Sequence, residues 1–316
     1  MGMQLSDRIG RRMKLQDLHV LMTVVQAGTM GKAAERLNTS QPNISRSIAE
    51  LEHALGVRLL DRHRQGVEPT EYGRALLAGG IAVFDELRQT VKNIEFLADP
   101  AAGDVRIGSI PFLASSFVPV VVERLAQRYP RVVFHVMAAP AETLHRELWD
   151  RNVDFLIAWR FGPFVDERLD FESLFNDPHV VVAGERHRRA RQRRLKLADL
   201  MEEPWVLPPP DTAFGSIARE SFRASGLDYP RAAVFTLLND VRLSMLAGGR
   251  FLTLCSTSAL RFPTERQGIK VLPVQLPFAS VPVGIVTLKN RTLPPAAKLF
   301  IEHAREGAKS LAKRKL

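Results

Sequence analysis

Residues 15–56 constrain the fold more than any other part of this 316-residue chain. Apolar residues recur every three or four positions in three short runs, which predicts three helices that each bury one face. Gly28 ends the first helix, and Thr29 is placed to cap the second. Ser40 can cap a third helix that carries Pro42 in its first turn, where a missing N–H costs little. The sequence therefore predicts a helix-turn-helix.

The third predicted helix has an apolar face and a polar face. Its apolar positions, from Ile44 to Leu55, point to a core, whereas the polar residues of its first turns can reach phosphates or base edges in a major groove. Residues 59–70 predict a hairpin with a glycine turn, the wing of a winged helix, whose arginines are positioned for backbone phosphates. The expected DNA contacts are Ser40, Gln41, Pro42, Asn43, Ser45, Arg46, Arg62 and Arg64. The alternative is a three-helix packing module with a solvated face, but turn, caps, spacing and wing all agree with DNA binding.

Residues 14–73 resemble the N-terminal domain of LysR-type transcriptional regulators. The resemblance rests on Ala33, Ala34, Leu37, Ser40, Gln41, Pro42, Ile44, Ser45, Ile48, Leu51, Glu52, Leu55, Gly56, Leu59, Leu60 and Arg62. Leu60 stands where the family usually has Phe, and Pro69 replaces the commoner Leu before Thr70. The resemblance implies a homodimer or homotetramer that binds an inverted-repeat operator in double-stranded DNA. It also implies a small-molecule effector, and RNA polymerase as a further partner.

Composition limits the remaining classes. The chain has no apolar run of membrane-spanning length, and its N-terminus lacks a signal-peptide core, so we expect a soluble cytoplasmic protein. Cys255 is the one cysteine, which excludes an internal disulfide and a cysteine-rich zinc site. With 46% hydrophobic residues, the chain can fold two or three compact units.

The net charge of +10 does not by itself indicate nucleic-acid binding. Residues 1–64 hold ten Lys/Arg and six Asp/Glu, a balance of +4, whereas residues 186–196 hold seven Lys/Arg and no acid, a balance of +7. Much of the excess therefore lies far from the helix-turn-helix. We interpret the run from Arg186 to Lys196 as a solvated loop, with a contact to DNA or an acidic partner as the alternative.

Residues 70–98 lack proline and predict one long helix. Apolar residues recur at heptad spacing in two sets offset by three positions, and the second set includes Gly80, which weakens the seam and can allow close helix approach. The predicted seam residues are Leu77, Phe84, Leu87, Val91 and Ile94. We interpret the stripe as a dimerisation helix, and the alternative is a helix lying on its own domain. The resemblance implies antiparallel pairing with the linker helix of a second subunit.

From residue 99 a hinge leads into alternating strands and helices, which is typical of a mainly parallel sheet covered on both faces. The predicted elements include a helix at 141–149 and strands at 155–159 and 180–183. The resemblance implies two lobes joined by two crossings, which we place near residues 174–177 and 274–276. Residues 99–316 would form an effector-binding domain, with lobe I at 104–173 and 276–316 and lobe II at 174–275. The predicted fold is α/β: a winged helix-turn-helix (14–73), a linker helix (70–98) and a two-lobed domain similar to a periplasmic binding protein.

Ligands of parallel sheets bind outside the carboxyl ends of the strands. Ser109 follows the first strand and is the preferred polar contact, with a capping or turn role as the alternative. Ser115 and Ser116 lie in the first turn of a predicted helix at 114–128 and can hold a carboxylate together with the first N–H groups of that helix. The expected effector contacts are Ser109, Ile110, Phe112, Trp159, Pro210, Asp211 and Thr212, although Trp159 also fits a core position and Pro210 to Thr212 also fit a connector. A mixed polar and apolar cleft favours a small organic acid or a polar aromatic effector over a bulky lipid.

Motifs for catalysis are absent from the sequence. It has no Gly-x-Ser-x-Gly elbow, His-Glu-x-x-His pair, P-loop or Gly-x-Gly-x-x-Gly turn. Cys255 lies in an apolar run and is expected to be a buried structural thiol, and His135 and His145 lack a third ligand for a metal. We therefore expect neither catalytic residues, nor a cofactor, nor a metal. Two other classes stay open: an enzyme with an appended DNA-binding domain, and an architectural DNA-binding protein with an unliganded C-terminal domain.

Overall fold

The computed structural model describes residues 13–160, 166–261, 268–277 and 280–313. The chain divides between Thr90 and Val91 into two compact units.

The first unit contains the predicted helix-turn-helix and wing. Its elements are α1 (Leu15–Ala27), α2 (Met30–Arg36), α3 (Gln41–Leu55), β1 (Leu60–His63), β2 (Gly66–Pro69) and the first part of α4 (Glu71–Ala98). The Thr29 hydroxyl oxygen accepts a hydrogen bond from the Lys32 N–H, and that of Ser40 accepts from the Asn43 N–H. Gly28 and Gly56 end α1 and α3 in the left-handed conformation that glycine adopts without strain. Local capping chemistry therefore sets these helix boundaries.

Packing holds the three helices and the wing together. Leu21, Val24, Ile44, Ile48 and Leu51 are fully or almost fully buried in one cluster, to which strand β1 adds its first residue. At the turn after α1, the Val67 N–H donates to the Gly28 carbonyl over 2.9 Å. A side chain at Gly66 would have its Cβ 2.5 Å from the same oxygen, so this close contact of two backbones requires glycine.

Helix α4 starts on the winged-helix core. Leu77 packs against that core, and the Phe84 ring centre lies 5.6 Å from that of His19 on α1. A Cβ on Gly80 would lie 3.0 Å from Leu18 Cδ1, which shows how closely α4 approaches α1. The positions of Leu77 and Phe84 thus agree with the alternative interpretation, in which the helix packs on its own domain.

The second unit contains the predicted α/β domain. It begins with β3 (Ala102–Ser109), α5 (Pro111–Ala114), α6 (Phe117–Arg128), β4 (Arg131–Ala138), α7 (Ala141–Trp149), β5 (Phe155–Trp159) and β6 (Leu169–Gly184). A short 3-10 helix (Leu197–Leu200) is followed by β7 (Trp205–Leu207), α8 (Ala213–Arg223), β8 (Ala232–Phe235), α9 (Asn239–Leu246), β9 (Leu252–Ser256) and α10 (Thr257–Arg261). The unit ends with β10 (Ile269–Val271), β11 (Ser280–Leu288) and α11 (Pro295–Lys313).

Among the described residues, these strands form a nine-stranded sheet in the order β4-β3-β5-β11-β6-β9-β7-β8, with β10 paired to β6. Strand β3 is parallel to β4 and β5, and β7 is parallel to β8 and β9. All pairings of the long strands β6 and β11 are antiparallel. The expectation of a mainly parallel sheet therefore describes the outer part of each lobe. The strands β6 and β11 instead pair antiparallel with their neighbours.

Strand β6 carries the chain from one lobe to the other. Residues 169–178 pair with β11, and residues 179–183 pair with β9, so the change of partner occurs at Pro178–His179. The sequence predicted only residues 180–183 as a strand and placed the crossing at 174–177. The chain returns to lobe I between Leu272 and Ser280. The Leu272 N–H still donates to the Val181 carbonyl of lobe II, and β11 begins at Ser280.

One helix prediction needs correction. Residues 114–128 form no single helix, because the chain breaks at Ser115 and Ser116 between α5 and α6. Both serine hydroxyls donate to the carbonyl of Phe112, over 3.1 Å and 2.8 Å. Both hydroxyl protons are used in hydrogen bonds to α5, so they are not free to bind a carboxylate.

Candidate functional site

The candidate DNA interface is the exposed side of α3 together with the wing. Gln41, Pro42, Asn43 and Arg46 are exposed, whereas Ile44 between them is buried. Ser40 is also exposed, and its hydroxyl caps the helix. The spacing of apolar residues therefore leaves the first turns of α3 with polar groups toward solvent, as a helix that reads a major groove needs.

Two contacts orient α3. Ser47 donates to Asp17 Oδ1 on α1, and Glu52 Oε1 accepts the N–H groups of Leu59 and Leu60 at 2.8 Å and 3.3 Å. The second contact joins the end of α3 to the first wing strand. Both involve side chains on the half-buried flank of the helix and leave the exposed turns free.

The wing carries two exposed arginines, one of which contacts α3. Arg62 Nη1 donates to the Ser45 hydroxyl over 3.5 Å, so the β1 arginine lies beside the fifth helical position of α3. Arg64 is exposed at the hairpin turn between β1 and β2. The structure thus brings Arg62 of the wing next to Ser45 of α3 and leaves Arg64 exposed at the tip of the wing. A phosphate-binding role for both arginines stays a prediction.

A second candidate site is a cavity of about 300 Å³ at the carboxyl ends of the strands. Lobe I contributes the segments that follow β3 and β4 and the end of β5, and lobe II contributes those that follow β7 and β8. The lining residues are Ile110, Pro111, Phe112, Pro140, Ala141, Glu142, Trp159, Asp211, Thr212, Ala213, Phe214, Leu237 and Arg242. This is the edge of a parallel sheet at which ligands bind in α/β folds.

Aromatic rings form one wall of this cavity. The Trp159 ring centre lies 5.5 Å from that of Phe112 in lobe I and 5.3 Å from that of Phe214 in lobe II. His179, just past the crossing in β6, lies 5.7 Å from Trp159 and 5.4 Å from Phe214. These separations are typical of aromatic packing, so the rings join the two lobes behind the cavity.

The predicted effector contacts fall into two groups. Ile110, Phe112, Trp159, Asp211 and Thr212 line the cavity, but Ser109 and Pro210 are not among the lining residues. Ser109 is fully buried, and its hydroxyl donates to the carbonyls of Ile157 and Ile110 over 3.0 Å and 3.3 Å. The structure therefore favours the alternative role for Ser109, in which its hydroxyl ties the end of β3 to β5.

Thr212 has a structural role as well as its position at the cavity. Its hydroxyl caps α8, accepting from the Gly215 N–H over 3.1 Å and donating to the Pro209 carbonyl over 2.7 Å. A Cβ on Gly215 would lie 1.8 Å from that same carbonyl oxygen, so the Pro-rich connector presses directly on α8. The connector is thereby a fixed wall of the cavity.

Arg242 is the lining residue that the sequence prediction missed. It is 2% exposed, and its guanidinium carbon lies 4.7 Å from the centre of the Phe214 ring. Nη1 donates to the Leu254 carbonyl over 3.0 Å, and Nη2 donates to Asn239 Oδ1 over 3.2 Å. The sequence signal is weak: Arg242 precedes Leu246 by one helical turn and so shares its face of the helix, but an arginine ordinarily lies in solvent.

The basic run at 186–196 lies in turns on lobe II. Glu203 is buried, and it pairs with Arg188 and Arg189, with both closest distances at 2.7 Å. Burial alone would raise the pKa of Glu203, but the hydrogen bonds from Arg189 and Arg188 outweigh it and hold that pKa below its ordinary value. Part of the run is thus a structural ion cluster, which accounts for charge that the sequence left unassigned.

Within the described ranges, no three His, Cys, Asp or Glu side chains are grouped so that they could hold a metal ion. The same part of the chain contains no helix that is both long and apolar enough to cross a membrane.

Two family models match the two parts of the chain. Residues 15–74 match "Bacterial regulatory helix-turn-helix protein, lysR family", and residues 98–309 match "LysR substrate binding domain". The regulator GbpR of Azospirillum brasilense is 26% identical over 307 residues, covering 96% of this chain and 90% of the relative.

Solved structures share the fold. Full-length OxyR of Pseudomonas aeruginosa aligns with a TM-score of 0.68 at 21% identity, covering 93% of this chain and 95% of that chain. CbnR in complex with its target DNA aligns with a TM-score of 0.55 at 22% identity, covering 94% of this chain and 100% of that chain. The winged helix-turn-helix with an α/β effector-type domain is therefore confirmed, and the chain belongs to the LysR family of DNA-binding transcriptional regulators.

Proposed function

We propose that this regulator reads its operator with the first turns of α3, holds the flanking phosphates with the wing, and changes transcription when a small molecule occupies the cavity between its lobes. The observation that carries the proposal is the cavity itself. Segments from both lobes line it, at the carboxyl ends of their parallel strands. A ligand that touches both lobes has different contacts in an open and a closed arrangement, and so can shift the balance between them.

The DNA-binding half of the proposal rests on the exposed turns of α3. Gln41 and Arg46 carry the groups that pair best with base edges, and Arg64 at the wing tip carries a charge suited to phosphate. CbnR, which has a similar fold, is solved with its target DNA. We infer a homodimer or homotetramer on an inverted repeat, assembled through α4 and able to contact RNA polymerase.

The effector half of the proposal names a chemical class. The cavity combines aromatic walls with a buried guanidinium and a few polar edges, which suits a small organic acid or a polar aromatic better than a bulky lipid. We infer regulation without catalysis, because the sequence carries no catalytic motif and the relatives it matches are regulators. We infer a cytoplasmic location, because the family model that matches residues 15–74 describes bacterial regulatory proteins.

Footprinting combined with ligand binding tests the proposal on the full-length protein. A selection from random duplexes gives the operator, and DNase footprinting then gives the protected length with and without each ligand of a metabolite panel. We expect a two-half-site footprint whose length or affinity changes with one ligand class. An architectural DNA-binding protein would bind without such a response, and an enzyme would convert the ligand.

A further inference from the structure

Arg242 is a buried cation that forms no ion pair with any of the residues that the structure describes. Its Nη1 and Nη2 groups donate to the Leu254 carbonyl and the Asn239 side chain, both uncharged acceptors. Within the described ranges, its Nε has no hydrogen-bond partner, and neither does Nδ2 of Asn239, one helical turn earlier on α9. Among the described residues, two buried donors on α9 therefore remain unused, and one of them belongs to Arg242, which lines the cavity from lobe II.

Burial of such a charge costs free energy. In the part of the chain that the structure describes, Arg242 forms no ion pair, and burial lowers the pKa of its guanidinium to about 10. That pKa still leaves the group charged at neutral pH. An unpaired buried charge destabilises a protein, whereas a partner of opposite sign offsets that cost. Among the described residues, Arg242 therefore lacks the anion that would offset the cost of burying its charge.

The residues around Arg242 indicate the shape and charge of a ligand that would pair with it. Phe214 covers one face of the guanidinium and continues through Trp159 into lobe I, so a flat or apolar body can lie along the rings. Glu142 of lobe I and Asp211 of lobe II also line the cavity, and both are exposed. Among the described lining residues Arg242 is the only basic one, so a second negative charge on the ligand would meet carboxylates.

We infer that Arg242 binds the carboxylate of a small monocarboxylate effector whose uncharged, flat or apolar body lies against Phe214 and Trp159. The inference rests on the proposed function of the cavity and makes it specific. One charge-assisted pair forms inside the cavity, and the two exposed carboxylates at its border select against dicarboxylates.

Matched ligands test the charge without altering the protein. The probes are benzoate, phenylacetate and 4-methylpentanoate, each paired with its neutral amide, and phthalate as a dicarboxylate. Thermal shift and calorimetric titration use the full-length wild type. We expect at least one acid to bind, and its amide and the dicarboxylate to bind about 30-fold or more weakly, the factor that loss of a buried charged pair implies. Equal binding of acids and amides, or no binding by any acid, would overturn the inference.

Variants then assign the charge to one residue. Arg242→Gln should lose about 30-fold or more in affinity for the acid while changing affinity for the amide little. Arg219→Gln removes an exposed arginine of α8 in the same lobe and should bind the acid as wild type does. An Arg242→Gln protein that melts as one folded species and still binds the acid at wild-type affinity would show that Arg242 is not the anchor.

A third variant separates this inference from the proposed function. Ala213→Trp places a large side chain in the cavity and should block acids and amides alike. If it blocks all bound ligands while charge makes no difference, the cavity is the effector site and the role of Arg242 is wrong. If ligands still bind to Ala213→Trp as to wild type, the proposed cavity is wrong as well.

Discussion

The Ser47 hydroxyl donates a 2.6 Å hydrogen bond to Oδ1 of Asp17, and this bond fixes the rotation of α3 on α1. Asp17 is 8% exposed, so the carboxylate accepts this bond largely shielded from water. The exposed turns of α3 depend on this orientation, because rotation about the helix axis would turn Gln41 and Arg46 to a different direction relative to α1 and the wing. A contact on the flank of the helix thus sets the geometry of its DNA-reading face.

Replacing Asp17 tests that contact. Asp17→Ala leaves the Ser47 hydroxyl unpaired, and we expect it to lower the free energy of unfolding by roughly 1–3 kcal/mol. Urea unfolding of the full chain, followed by circular dichroism of the helices, measures the change. Asp61→Ala removes an exposed carboxylate in the wing and should change stability little. The same unfolding midpoint for both variants would show that the contact contributes nothing.

Arg46 and Arg64 should differ in the kind of DNA binding that they support. Arg46→Ala should cost roughly 1–3 kcal/mol and relax specificity at one base position, since we assign it to a base edge. Arg64→Ala should weaken binding to all sequences and reduce the salt dependence of the affinity, since we assign it to a phosphate. Fluorescence anisotropy with operator and random duplexes at several salt concentrations distinguishes the two. Equal losses on both duplexes for both variants would refute this division.

The exposed stripe of α4 should mediate assembly. Leu87 and Ile94 are 44% and 61% exposed in the single chain, whereas Phe84 contacts His19. Leu87→Asp and Ile94→Asp should therefore split the oligomer, because a charge cannot be solvated in a dry seam. Phe84→Asp should also disturb the packing of α4 on α1, so it is a poorer test.

Sedimentation at matched concentration gives the oligomeric mass. Glu95→Gln changes the charge by one unit at an exposed position of the same helix and serves as the control. A wild-type mass for both Asp variants would place the subunit interface elsewhere.

Local signals explain why the helix-turn-helix could be predicted. Ser40 caps the start of α3 and Gly56 ends the helix. Both residues lie directly beside the helix whose ends they set. The same holds for α7 and β5, whose observed ranges, Ala141–Trp149 and Phe155–Trp159, equal the predicted ones. These elements depend on neighbouring residues, so the chain alone specifies them.

Elements that depend on distant partners could not be predicted in the same way. The first half of β6, which contains Pro178 at its end, becomes a strand because β11 pairs with it. Ser109 was expected to face the ligand, but its neighbour β5 presents the Ile157 carbonyl to it. Arg242 is buried by Phe214 and Leu254, which come from other elements. An isolated arginine on a short helix ordinarily indicates a solvated position.

The Glu203 cluster should make stability depend on pH. Its pKa is lower in the folded protein, so the stabilising contribution is present at neutral pH and is lost as the pH falls through the folded-state pKa. Glu203→Gln should therefore lose roughly 1.5–3 kcal/mol at neutral pH, the range for hydrogen bonds to charged groups, and little in acid. Thermal melts across an acid-to-neutral series measure this. Glu185→Gln, an exposed change in the same segment, should follow wild type throughout.

The last prediction separates the cavity from the buried serine beside it. Ala141→Trp fills the cavity from lobe I and should abolish the transcriptional response to a ligand that binds the wild type, while operator affinity stays within a factor of about two. Ser109→Ala should keep the response, because that hydroxyl already donates to Ile157 and Ile110 and reaches no ligand. Its cost should instead be stability, roughly 1 kcal/mol for one lost hydrogen bond. An operator-driven reporter measured at increasing ligand concentration compares the two variants. Loss of the response in Ser109→Ala at wild-type stability, with the response intact in Ala141→Trp, would move the effector site away from this cavity and toward the end of β3.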